Sequence, residues 1–235
     1  MAGNPSGSIK KGGADQAIPW ADLSRSERKK LATREKLLLA VQELILERDL
    51  ESITVNDITE KADIGLGTFY NYFKSKSEIL EGLYELALDF YHKELDQITV
   101  DLEDPAEVLA ASIMFTIAKA SDTEQFGWLL FEVGLPRELM RQNIYKRAAK
   151  DFAKGVASKR FDTDDIQLTL TMLDGSVMAV AEAIYRKELP KKSSQKVAEL
   201  GLRQLGLSEK DAHEVAFKKY PKIKLSGFPL KLSEL

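Results

Sequence analysis

The chain has 235 residues, 44% of them hydrophobic and 30% charged, which suits a globular protein with one large domain or a small one joined to a larger. It contains no cysteine, which excludes disulfides and thiolate chemistry, and its only two histidines, His92 and His213, leave little for a zinc site. The net charge of −3 hides an uneven distribution: residues 1–36 hold eight Lys/Arg against four acids, and residues 64–77 contain no acid at all.

Residues 1–23 are rich in Gly, Ser, Ala and Pro without a period and read as a disordered tail. Lys10 and Lys11 there are either solvated or available to phosphate. Ser24 or Ser26 caps a first helix reaching about Arg48, with Leu31, Leu37, Leu38, Val41, Leu44 and Ile45 as its apolar stripe. Thr54, with Asp57 three residues on, starts a short second helix to Ala62. After a break at Asp63-Ile64-Gly65, a third runs from Leu66 to Phe73. Two short helices about a tight turn, the second polar and aromatic outward, are how a helix-turn-helix offers a reading helix to DNA. Phe69 and Phe73 point inward with Ile53 and Ile58, and the first helix covers them. Residues 24–76 therefore form one unit.

A long helix follows without a linker from Ser77 to about Gln97, so the next unit, residues 77–220, is joined rigidly to the first. It continues with an almost wholly apolar helix over 106–120, a segment over 122–133, and a more amphipathic helix over 136–159. A long helix capped by Asp162-Thr163 comes next, and then two shorter ones beginning at Ser193 and Ser208. Residues 221–235 read as an irregular tail. No strand pattern is present, so the fold class is all-α. No apolar run reaches the roughly 18 residues that span a bilayer, and the N-terminus lacks a signal-peptide core. The expectation is a cytoplasmic protein without a membrane partner.

Thr54-Val55-Asn56-Asp57-Ile58, Ala62, Gly67-Thr68-Phe69-Tyr70-Asn71-Tyr72-Phe73 and Lys76 followed by Ile79-Leu80 resemble the TetR family of one-component transcriptional regulators. Thr59 and Asp63 depart from the family's usual Ala and Gly. Asp63 can still take a left-handed turn. The resemblance implies a homodimer that binds a palindromic operator in double-stranded DNA, with half-sites about one helical turn apart. It also implies a C-terminal domain that binds a small-molecule effector. The dimer interface would use the last two long helices, where the smooth stripe Gly175, Ala179 and Ala183 fits close packing, either between chains or within one.

Laid over the reading unit, the chemistry assigns Asn71 to base readout, since an amide can pair bidentately with adenine, and Leu66 to a thymine methyl. Gly67 allows close approach. Thr54, Thr68, Tyr70, Tyr72, Lys74 and Lys76 are expected on phosphate. Tyr91, Met114, Phe115, Gln125, Trp128, Phe131, Arg141, Tyr145 and Met172 are the expected pocket residues for a small hydrophobic or aromatic effector, against the alternative that the apolar ones are ordinary core. No metal or other cofactor is expected. The competing readings are an effector-independent DNA binder with a filled core and a helical enzyme. The enzyme lacks support, because no phosphate loop or nucleophile spacing is present and no catalytic residue is expected.

Overall fold

The computed structural model describes residues 23–122, 127, 130–132, 137–221, 225, 227 and 229–232, the side chains of 122 and 137–146 excepted. Among these the protein is all helical, with no strand. Helix α1 spans Arg25–Glu47 and opens with a capping box. The Ser24 hydroxyl accepts from the Glu27 amide at 3.2 Å, and the Glu27 carboxylate accepts from the Ser24 amide at 2.8 Å. Its buried stripe is Leu37, Leu38, Val41, Leu44 and Ile45, whereas Leu31, one turn too early to reach the core, is left exposed. Gln42 is fully buried within this stripe.

A single 3-10 turn, Leu50–Ser52, leads to α2, Val55–Lys61, and then α3, Leu66–Phe69. Asp63 takes a φ of +52°. The Asp63 amide donates to the Glu60 carbonyl at 3.1 Å and the Ile64 amide to the Thr59 carbonyl at 2.9 Å, which closes α2 in a Schellman motif. Thr59 is buried, and its hydroxyl is satisfied by the Asn56 carbonyl at 2.9 Å. Helix α3 is shorter than the expected Leu66 to Phe73. After Phe69 the bonds tighten, as in Asn71 to the Thr68 carbonyl and Tyr72 to the Phe69 carbonyl, so that the chain can turn into the next helix. The Phe69 and Phe73 rings lie 6.0 Å apart, both buried.

Helix α4, Lys76–Thr99, is capped by Ser75 and passes unbroken from this head into the body. The body comprises α5 (Pro105–Asp122), α6 (Arg137–Ala157), α7 (Ile166–Tyr185), α8 (Ser193–Gln204) and α9 (Glu209–Phe217). Asp165, not Asp162-Thr163, caps α7, accepting from the Leu168 amide at 2.8 Å. Arg160 staples three elements together, taking Asp104 at the start of α5 through Nε at 2.9 Å and Nη2 at 2.8 Å, and reaching Asp211 on α9 as well. Such a bidentate fork is the geometry in which arginine pairs best. Lys119 on α5 and Glu94 on α4 form an ion pair at 2.7 Å with side chains 1% and 7% exposed. Burial pushes the Lys119 ammonium below its ordinary value, and Glu94 opposes that shift.

Helix α7 corrects the reading of the chain as lacking any membrane-length run. At 20 residues, with a mean hydropathy of 1.3 over an 18-residue window of which 28% is buried, it is long and apolar enough to cross a bilayer by length and composition alone. Leu170, Leu173, Val177, Ala181 and Ile184 face the core.

Candidate DNA-reading surface and effector cavity

The reading head presents Leu66 (44% exposed), Tyr70 (54% exposed), Gly67, Asn71 and Lys74 to solvent on one side of α3 and the turn after it. Thr68 and Tyr72 are half-buried there, Tyr72 packing against the core. A Cβ built on Gly67 would meet nothing within 4 Å, so no neighbour inside the chain requires glycine at this position.

Two expected phosphate contacts are engaged elsewhere. Thr54 donates its hydroxyl to Asp57 Oδ2 at 2.6 Å and its amide to the same oxygen at 2.7 Å, so both groups serve the start of α2. The Thr54 hydroxyl, then Arg48 and the Thr54 amide, hold the Asp57 carboxyl well below the usual range. Lys76 is half-buried, and its ammonium donates to the carbonyls of Leu50 at 2.5 Å and Ile53 at 2.8 Å. It ties the start of α4 to the loop before α2. We expect Lys76→Met to lower stability by about 1 kcal/mol, less than a buried charged hydrogen bond because the site is partly wet. Urea denaturation followed by circular dichroism measures this, and an unchanged midpoint would refute the tie.

In the body, α4, α5, α6 and α7 line a partly open cavity of about 110 Å³. Leu95, Leu109, Ile113, Phe152, Phe161 and Leu173 are among its apolar walls. Phe161 reaches it by lying over Gly155, where a Cβ would come within 2.1 Å of the ring, so only glycine fits. The polar lining is Tyr91, Ser112, Thr116, Arg147, Asp151 and Asp174. Thr116 donates to the Ser112 carbonyl at 2.7 Å, which leaves the Tyr91 hydroxyl to donate to Thr116 at 2.8 Å. Burial raises the Tyr91 phenol and keeps it neutral. Burial opposes the charge on Arg147, but its contact with Asp96 outweighs this and the guanidinium is raised overall.

Of the expected pocket residues, Tyr91 lines the cavity. Phe115 is buried behind Tyr91, with ring centroids 5.3 Å apart, and Met114 packs into the core. Phe131 packs in a tilted pair with Tyr185, ring centroids 5.4 Å apart, and neither lines the cavity. Met172 is 52% exposed, because its position on α7 faces outward, one residue from the inward Leu173. Gln125 and Trp128 lie outside the described residues, as do the side chains of Arg141 and Tyr145. The sequence reading missed Arg147, Asp151 and Asp174. A charged residue inside a helix as apolar as α7 was the available signal for Asp174.

Among the described residues, the small-residue stripe is largely uncovered. Gly175 and Ala179 are exposed, Ala183 is half-buried, and a Cβ on Gly175 would meet nothing within 4 Å. Exposed Leu168 and Met172 extend the same face.

A helix-turn-helix head joined through one continuous helix to a helical body with a partly polar cavity defines a ligand-responsive DNA-binding transcriptional regulator. Residues 37–83 match the family described as bacterial regulatory proteins, tetR family, and residues 104–218 match the tetracyclin repressor-like C-terminal domain. The chain belongs to the TetR family. Among solved structures, RolR in complex with resorcinol is 30% identical, with a TM-score of 0.67 over 85% of this chain and 100% of that one. The regulator FadR from Bacillus subtilis, in complex with stearoyl-CoA, shares the fold at 19% identity and a TM-score of 0.56, over 71% of this chain and 96% of its own. An HTH-type transcriptional regulator of Staphylococcus aureus is 23% identical over 152 residues, 65% of this chain and 80% of that protein.

Proposed function

We propose that the protein is a cytoplasmic, homodimeric repressor that binds a palindromic operator and is released by a small phenolic compound. The observation that carries the effector class is the cavity itself. A closed apolar cavity of about 150 Å³ holds one benzene ring, and this cavity of about 110 Å³ is of that order. Its polar lining supplies a cation at Arg147, acceptors at Asp151 and Asp174, and a hydroxyl chain at Tyr91 and Thr116, which suits ring hydroxyls and disfavours a bare hydrocarbon. The similarity to a resorcinol-bound regulator supports the same class. The cavity weighs against the alternative of an effector-independent binder with a filled core.

Dimerisation is supported by the exposed apolar face of α7 around Gly175 and Ala179, which a second copy would cover. On the reading head, the open surface at Gly67 supports close approach to DNA. Asn71 is assigned to base readout, Leu66 to a thymine methyl, and Thr68, Tyr70, Tyr72 and Lys74 to phosphate. The effector acts by population shift, favouring a conformer whose two heads no longer match the operator spacing.

The test uses duplexes that the protein itself selects from a random pool. Resorcinol should raise the thermal midpoint and release bound duplex in fluorescence anisotropy. No thermal shift across a panel of phenols would sink the effector class. On the DNA side, Asn71→Ala should cost about 1–3 kcal/mol on the selected sequence and narrow its advantage over unrelated DNA. Lys74→Ala should weaken both alike and lower the salt slope by about one. A shift of less than about twofold for both variants would overturn the contact assignment.

A further inference from the structure

Gln42 is the one fully buried polar side chain in the apolar stripe of α1 that covers the reading head. A buried amide is tolerated only where its donor and acceptor are both met. Its Nε2 donates to the Leu230 carbonyl at 3.0 Å and to the Leu38 carbonyl at 3.1 Å, and its Oε1 accepts from the Leu230 amide at 2.6 Å. The amide thus pairs with both backbone groups of one residue that lies 188 positions away in sequence. Leu230 itself is 1% exposed and belongs to the same core cluster as Leu37, Val41 and Ile58, with Leu232 packed against that cluster.

Nearer its start, the same C-terminal stretch is held to the body. The Tyr220 hydroxyl donates to the Val215 carbonyl at 2.9 Å. Tyr220 and Leu225 pack on a second apolar cluster formed by Tyr91, Leu95, Ile98, Ala111 and Phe115. Tyr91 and Leu95 from that cluster are also walls of the cavity. One stretch of chain therefore touches the cluster behind the effector cavity and, a few residues later, the core of the reading head.

We propose that Tyr220, Leu225 and Leu230 act together as a strap, parallel in action to α4, that couples the effector cavity to the reading head, with Gln42 as the positioning residue that fixes its far end. Occupation of the cavity displaces the Tyr91 and Leu95 side chains, the cluster under Leu225 shifts, and the register of Leu230 on Gln42 changes with it. The part of this that concerns ligand rests on the effector reading given above. The positioning of the head by Gln42 and Leu230 does not.

The test is hydrogen–deuterium exchange on the full-length chain, comparing wild type with Leu230→Asp and Gln42→Met. Leu230→Asp sets a carboxylate among Leu37, Val41 and Ile58, so unchanged protection of α8 is the check that the body stays folded in either variant. In both variants without ligand, amides of Leu37–Ile45 should exchange at least about tenfold faster, while α8 keeps its protection. Unchanged exchange in α1, within about twofold, would overturn the strap as a positioning device. Resorcinol is then added to wild type and to Leu225→Asp. The strap predicts that resorcinol alters exchange in α1 and around Leu230 in wild type. In Leu225→Asp the α1 response should be lost, although resorcinol still raises the thermal midpoint. An α1 response that persists in Leu225→Asp would show that α4 alone carries the signal and would refute the coupling. A wild-type chain with no thermal shift would count against the phenolic effector only, and the ligand-free comparison would still decide whether the strap positions the head.

Discussion

Lys119→Met is expected to lower the stability of the chain by about 3–5 kcal/mol, the largest effect of any single substitution considered for the body. The methionine fills nearly the same volume, so the loss does not come from a cavity. It comes from Glu94, whose carboxylate sits with 7% of its side chain exposed and would lose the ammonium now 2.7 Å away. A carboxylate in that setting either keeps its charge at a large desolvation cost or takes up a proton. The double variant Lys119→Met/Glu94→Met should recover most of the loss, because replacing both members of a buried pair by apolar groups is often neutral. Guanidinium denaturation of the single and double variants measures this directly. A cost below about 1 kcal/mol for Lys119→Met would mean that water reaches the pair.

Arg147→Leu is expected to raise the resorcinol concentration needed for DNA release by roughly tenfold to a hundredfold, while DNA affinity without ligand stays within about twofold. Loss of a hydrogen bond from a charged donor is worth about 1.5–3 kcal/mol, and about 1.4 kcal/mol is a factor of ten. Leucine preserves the apolar volume and removes the only guanidinium among the described residues of the cavity lining. Its partner Asp96 is 64% exposed and can be solvated instead, so folding is not at stake. Anisotropy titrations of labelled duplex, with and without resorcinol, separate the two effects. Release at an unchanged resorcinol concentration would remove Arg147 from the effector site.

The all-α frame was legible because local signals agreed with one another. Ser24 with Glu27 and Thr54 with Asp57 are capping boxes in sequence and in space. The α1 stripe and the Phe69/Phe73 pair have the period of a buried helical face. Most of the head's packing lies within about 50 residues, which pattern reading can follow, whereas the Gln42–Leu230 pair, 188 positions apart, leaves no periodic signal. The cavity was much less legible, since it is assembled from four helices and period alone does not fix which way each turns. Met172 and Leu173 are neighbours in sequence, yet one faces solvent and the other the cavity. Lone polar residues in apolar stretches were the better guide: Gln42, Lys119 and Asp174 each interrupt a hydrophobic pattern, and each proves to be buried or to line the cavity. Lys76 and Thr54 have groups that suit a phosphate, and in the chain itself these meet carbonyls and a carboxylate, a use that residue type alone does not reveal.

The Glu94–Lys119 pair also constrains how α4 can move. Sliding the helix along α5 by even one residue would displace the two charges relative to one another by about 1.5 Å in a poorly polarisable setting, where their attraction is strongest. Rotation about that point keeps them together. The pair therefore favours a tilt of the helix about this point over a slide. From Glu94 back to Lys76 is roughly 27 Å at 1.5 Å per residue, so a tilt of about 10° sweeps the head end through about 5 Å. A ring-sized ligand has only to tip one helix slightly at the short arm for the long arm to move a reading head by more than the rise of one base pair.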